Sequence, residues 1–253
     1  MTREDGAVSQ IPTPQPDRIG PHADEPHERS IGGLLNRLRA AVLGANDGIV
    51  SVAGIVMGVA GATSHRDTIV VAGVAGLVAG ALSMGAGEYV SVSTQRDTER
   101  ALLDKERREL AEDPEDELAE LAGLYRDKGL TDALALEVAQ QLTAHDALAA
   151  HAETELGIDP DDLTSPWQAA LASMVAFTLG AALPLLTITL FPPGVRVWVT
   201  VVAVALALAV TGYASAASGD APRVRAVVRN IAGGLLAMVV TYLIGGLVGR
   251  GLG

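Results

Sequence analysis

The chain has 253 residues, 49% of them hydrophobic but only 3% aromatic, with 28 glycines, no cysteine and a formal net charge of −12. The negative balance argues against a nucleic-acid partner, and the absence of thiols excludes disulfides and thiolate metal sites. Mean hydropathy is only +0.32, because apolar residues are gathered in blocks rather than spread along the chain.

Residues 1–35 are polar and proline-bearing (PTPQPDRIGPHADEPHERS) and read as a disordered tail without a signal peptide. His22 and His27 lie in that tail, where a solvated role is expected. Five blocks follow that are long and apolar enough to cross a bilayer as helix, which takes about 20 residues. They fall near 40–62, 68–94, 167–190, 195–217 and 227–249. Pro184 is placed to kink the third, and Phe191-Pro192-Pro193-Gly194 forms a tight turn into the fourth. Small residues recur four apart at Gly54/Gly58, Gly76/Gly80 and Gly245/Gly249, spacing that lets membrane helices approach closely. The expected organisation is a tail over 1–35, spans one and two in 36–95, a polar helical domain over 96–163 and spans three to five in 164–253. Arg37 and Arg39 precede the first span, and Arg223, Arg225 and Arg229 join the last two. The positive-inside rule then puts the N-terminus and the 96–163 segment in the cytoplasm and the C-terminus outside.

Two acidic residues interrupt the first two spans. Asp47 lies in VLGANDGIVSVAGIVMGVAGA and Glu88 in AGALSMGAGEYVSV. An ionised carboxylate at bilayer depth costs at least a few kcal/mol, so such residues face a bundle interior and mark an ion or proton path. Met84 precedes Glu88 by four residues and shares its helical face. Two carboxylates and a thioether are suitable ligands for a divalent transition metal.

The segment between the second and third spans holds 20 of the chain's 30 acidic residues. Leu and Ala recur in it at helical spacing, so it is expected to fold. One helix continues from the second span to about Ala111. A second starts at Pro114, with Asp113 as its cap, and ends near Lys128-Gly129. A third runs from Thr131 or Asp132 to about Leu142, and a short fourth covers about 145–156. Glu106 with Glu109 and Glu117 with Glu120 are three apart, so each pair can present two carboxylates on one helical face. Two such helices packed together would make a carboxylate cage, with His145 and His151 as candidate nitrogen ligands and Glu155 beside them. The competing reading is a solvated charged face, with Arg107 and Arg108 pairing the acids.

GANDGIVSVAGIVMGVAGA, then AGALSMGAGEYVSVSTQRD, then LPLL in the third span resemble the vacuolar iron transporter family of divalent-metal/proton antiporters, over about residues 36–250. The resemblance implies an all-α membrane fold of five transmembrane helices. It places a cytoplasmic metal-binding domain of three to four acidic helices between the second and third. It also implies a homodimer with its translocation path at the subunit interface. Carried over residue by residue, it puts Asp47 and Met84 in the path, and matches Glu88 to a position that is acidic in many bacterial members. It assigns metal binding to Glu106, Glu109, Glu117, Glu120 and Glu155. Where some members carry a methionine ligand, this chain has His151, which would harden the site. No prosthetic group is implied; the cargo would be Fe²⁺ or Mn²⁺, with Zn²⁺ or Co²⁺ as further candidates, and protons and membrane lipid as the other partners.

The function expected is export of divalent metal from the cytoplasm by proton antiport. The alternatives are a membrane-bound metal sensor or storage protein, and a metal channel without proton coupling. A di-iron enzyme is disfavoured, because no Glu is followed three residues later by His. The Ala-, Arg- and Gly-rich composition fits a high-GC bacterium, and so a plasma-membrane location.

Overall fold

The computed structural model describes residues 31–218 and 222–252. His22 and His27, and the tail up to residue 30, lie outside the described residues. Among the described residues the chain forms seven α-helices and no strand. In order they are α1 (Ile31–Ala62), α2 (Arg66–Glu112), α3 (Pro114–Asp127), α4 (Asp132–His151), α5 (Pro166–Leu190), α6 (Arg196–Ser218) and α7 (Arg223–Leu252). Helices α1, α2, α5, α6 and α7 are each long and apolar enough to span a membrane, and they coincide with the five expected blocks. Their outward faces carry Val71, Leu82, Leu179, Leu206 and Leu243 in the open, as a lipid-facing surface requires. This is an all-α, multi-pass membrane protein.

Helix α1 is the hub, packing against α2, α5, α6 and α7. Glycine makes the packing possible. A Cβ on Gly48 would overlap the carbonyl of Phe177, and one on Gly245 would overlap that of Gly58. Gly58 and Gly245 thus meet across the α1–α7 contact, where Gly54 faces Thr241 and Gly249 faces Ala62, while Gly76 and Gly80 admit the side chains of Ile55 and Phe177. The core between the helices is Ile49, Val52, Val56, Met57, Phe177, Ile188, Leu208 and Met238, all buried. Pro184 is buried inside an α5 that continues through it to Leu190. The Pro192 carbonyl accepts from the amides of Val195 and Arg196, which closes the expected turn into α6. Arg196 itself is buried and donates to the Ser64 carbonyl at 3.2 Å, tying this turn to the α1–α2 loop.

Helix α2 has no proline or glycine between Glu88 and Asp113, so nothing stops it at the membrane surface. Its 47 residues make a rod of roughly 70 Å, more than twice the ~30 Å hydrocarbon core. Tyr89 packs at a tilt of 51° against exposed Trp167 at the start of α5, ring centroids 4.7 Å apart, in the manner of an interfacial aromatic belt. Beyond that level α2 packs against α3 and α4.

The expected helices of the polar segment are present, with two differences. Asp113 precedes Pro114 but makes no side-chain capping bond. The gap expected between Leu142 and His145 is not a loop. Helix α4 runs on to His151, with a kink at Asp146 (φ −159°, ψ 99°). There the Asp146 carboxylate accepts from the amide of Ala149 at 2.9 Å and caps the helix that restarts. The helix then widens into a π turn over Ala152–Leu156 and ends at Gly157, whose φ of +66° favours glycine.

Candidate metal site

Three helices bring acids to one histidine. His151, near the end of α4, is fully buried. Its Nδ1 lies 2.9 Å from Glu106 Oε1 of α2, 3.6 Å from Glu117 Oε2 of α3 and 3.6 Å from Glu155 Oε2 of the π turn. The ligand atoms of Glu106, Glu117 and His151 all fall within 4.8 Å of one another. Two ligands about 2.1 Å from one ion at a tetrahedral angle would sit roughly 3.4 Å apart, which these separations bracket.

The small core that sets this geometry is Leu121, Ala139 and Ala150, with Leu118, Ala122, Tyr125 and Leu142 around it. Tyr125 of α3 also shares a hydrogen bond with Thr154 of the π turn at 3.2 Å. That bond holds against α3 the segment that carries His151 and Glu155.

The cluster is under electrostatic stress. Burial pushes the Glu106 carboxyl above its ordinary range, and the nearby Glu155 charge adds to this. Burial does the same to Glu117, with Glu120 as the next cause. His151 moderates both, but Glu106 Oε1 and both imidazole nitrogens have no hydrogen-bond partner of proper geometry. The 2.9 Å approach of Nδ1 to Glu106 is therefore close without being a hydrogen bond. Unpaired buried polar atoms are costly and rare in native proteins. A divalent cation would satisfy Glu106 Oε1 and His151 Nδ1, the ring nitrogen that the carboxylates surround, and two to three carboxylate oxygens with an imidazole nitrogen suit a transition metal.

The other expected ligands stand at the edge. Glu109 is half-exposed and pairs with Lys105 at 2.6 Å. Glu120 is exposed, although its charge is felt at Glu117. His145 is exposed and lies apart from the cluster. Arg107 pairs with Asp104 at 2.6 Å, not with the clustered glutamates.

In the membrane part the groups do not converge in this way. Asp47 is half-buried, and its Oδ1 accepts from Ser51 one turn further along α1 at 2.7 Å, with Asn46 turned elsewhere. Met84 packs beside the helix core, and half-buried Glu88 lies next to the Tyr89–Trp167 pair. Among the described residues, neither Asp47 nor Glu88 belongs to a group of three His, Asp or Glu side chains. Two polar features of these helices escaped the reading of the sequence. Ser173 is fully buried against Gly44, with its hydroxyl unpartnered. Thr211 and Asn230 bond each other between α6 and α7. A polar residue inside an apolar block was the available signal for all three.

A five-span α-helical membrane protein with an acidic helical extension on its second span is the class that this fold defines. The VIT family profile matches residues 38–246, and the chain belongs to that family. It is 41% identical to a protein named vacuolar iron transporter from Acanthamoeba castellanii, over 89% of this chain and 84% of that one. It is 38% identical to vacuolar iron transporter homolog 4 of Arabidopsis thaliana, over 84% of each chain. It is 40% identical to vacuolar iron transporter homolog 1 of Oryza sativa subsp. japonica, over 81% of this chain and 71% of that one. The chain is a transporter, not an enzyme.

Proposed function

We propose that this protein exports Fe²⁺ or Mn²⁺ from the cytoplasm in exchange for protons. The observation that carries the reading is the buried Glu106–Glu117–His151 cluster with its unpartnered atoms, attached by one unbroken helix to the span that bears Met84 and Glu88. In this reading the 96–163 segment is the cytoplasmic metal-gathering domain. Glu106, Glu117 and His151 hold the ion, Glu155 closes the cage, and Glu109 and Glu120 draw metal towards it. Glu88 lies about 27 Å further along α2, at 1.5 Å per residue. It takes the ion or a proton at the membrane surface, and Asp47 and Met84 bind the ion within the bilayer. Asp47 and Met84 would act from both subunits of a homodimer, which supplies the convergence that a single chain lacks.

A carboxylate oxygen cannot hold a proton and a metal at once, so inward protons would release metal outward. The relatives named as iron transporters support Fe²⁺ as cargo. Mn²⁺ shares the preference for oxygen and nitrogen ligands, and His151 brings Zn²⁺ and Co²⁺ within range. The site for this activity would be the plasma membrane, with the N-terminus inside and the C-terminus outside.

The test is Fe²⁺ flux into proteoliposomes with and without a pH gradient, following internal pH at the same time. Metal uptake coupled to proton movement is expected. Flux indifferent to the gradient would make the protein a channel. Binding without flux would make it a sensor or storage protein.

A further inference from the structure

Bonds between different spanning helices meet in mid-bundle beside Asp47. The Thr211 hydroxyl of α6 has two acceptors at 3.3 Å, Asn46 Oδ1 of α1 and the Leu208 carbonyl of its own helix, and the first of these links the two helices. Asn230 of α7 donates to Thr211 Oγ1 at 2.9 Å and to the Leu208 carbonyl at 3.0 Å. Gly212, next to Thr211, lets α7 come this near, since a Cβ there would stand 3.0 Å from Val227 Cα. Three polar side chains from three helices are thus joined at the residue immediately before Asp47.

The hydrogen bond that Asp47 itself makes does not tie it to another helix. The Ser51 hydroxyl belongs to the same helix and turns with it. The other mid-span contacts of α1 are apolar: Ile49, Val52, Val56 and Met57 lie in the core between the helices, and Gly44, Gly48 and Gly58 meet α5 and α7. Van der Waals contacts are not directional, whereas hydrogen bonds are, so a polar bond between helices adds a constraint on orientation that packing alone does not give. A carboxylate must be held within about 0.5 Å of its working geometry to serve as a ligand.

We propose that Thr211 and Asn230 are positioning residues for Asp47. Through Asn46 they fix the rotation of α1, and so the direction in which the Asp47 carboxylate meets the transported cation. The inference rests on the reading of Asp47 as an ion-path residue.

The experiment uses the full chain in proteoliposomes, with Fe²⁺ as the probe. Initial rates are measured against Fe²⁺ concentration for the parent chain and for Thr211→Val, Thr211→Ser, Asn230→Ala and Asp47→Ala. Thr211→Val keeps the shape and deletes the hydroxyl. The expected result is a KM for Fe²⁺ raised about fivefold or more in Thr211→Val and Asn230→Ala, at little changed maximal rate per folded protein. Thr211→Ser should restore the parent KM. An unchanged KM with a lower maximal rate and a lower melting temperature would reduce the network to helix adhesion and overturn the proposal. Should Thr211→Val not fold, Asn230→Ala reads the same network from the α7 side, by removing the bond that Thr211 accepts. Parent-like KM in the folded variants, beside an inactive Asp47→Ala, overturns the positioning role alone. Flux that survives in Asp47→Ala overturns the path reading itself.

Discussion

The acidic helical segment and the membrane helices solve opposite problems with the same residue type. In the first, three elements from one chain carry glutamates to a buried imidazole, and the cluster is complete without help. In the second, Asp47 and Glu88 are half-buried, on separate helices and outside any such cluster. The difference follows from solvent. If the polar segment lies in water, as proposed, a small core of Leu121, Ala139 and Ala150 suffices to hold α3 and α4 together beside α2. Its acids keep water at the rim and a histidine at the centre. In the bilayer a closed knot of carboxylates would have no such relief. Dispersing them along the helices keeps the cost low and, in the proposed path, would leave the ligand set open to be completed during transport.

The largest effect is expected at Asp47. If the membrane carboxylate carries the ion, Asp47→Ala should bring Fe²⁺ flux to background while metal binding by the polar segment stays intact. Calorimetric titration of the same purified variant checks the second half. Loss of both would mean that the two regions act as one site.

His151 is the corresponding lever in the polar segment. His151→Ala removes the only nitrogen of the cluster and should lower metal affinity by about tenfold to a hundredfold, the range for disturbing the immediate surroundings of a metal. Flux at saturating Fe²⁺ should change much less if, as proposed, the domain gathers metal and the membrane path carries it. Unchanged affinity would return these acids to the role of a solvated face.

Acidity should separate the regions next. Burial raises Glu106 and Glu117 above the ordinary 4.5 of a glutamic acid. A carboxyl with a raised folded-state pKa favours the fold while protonated. That contribution is fully present below the ordinary pKa and is lost as pH rises through the raised values. Without metal, thermal stability of the polar segment should therefore fall as pH rises from about 4.5. With saturating metal the slope should reverse, because the ion binds only the ionised form and metal affinity grows over the same window. Parallel slopes with and without metal would show that the cage does not hold the ion.

The larger outline of the molecule was legible in its sequence because hydropathy and helix punctuation are local. Five apolar blocks, the stop at Pro114 and the restart at Thr131 all came from short windows. Burial within the cage was not legible. Residues three apart on a helix differ by about 60° around its axis, enough for only one of each pair to enter a seam. Glu106 and Glu117 went in, while Glu109 and Glu120 stayed out. Which member turns inward depends on how α2 meets α3, a tertiary fact. The kink at Asp146 and the π turn after it were hidden for the same reason, since neither interrupts the Ala-rich helical pattern.

That π turn supplies the smallest and most discriminating prediction. Tyr125 and Thr154 share one hydrogen bond across 29 residues of sequence, and the bond holds Glu155, the most exposed of the three acids around Nδ1. Tyr125→Phe keeps the ring against the domain core and under the Lys128 ammonium, and removes only the hydroxyl. A neutral hydrogen bond contributes about 0.5–1.5 kcal/mol net, and part of this reaches Glu155. Titration should show metal affinity lower by about two- to fivefold, with saturated flux unchanged. An effect as large as that of His151→Ala would mean that the turn, and not the histidine, decides whether the cage closes, because His151 stands on the residue before it. No effect would place Glu155 outside the ligand set and leave Glu106, Glu117 and His151 to hold the ion alone.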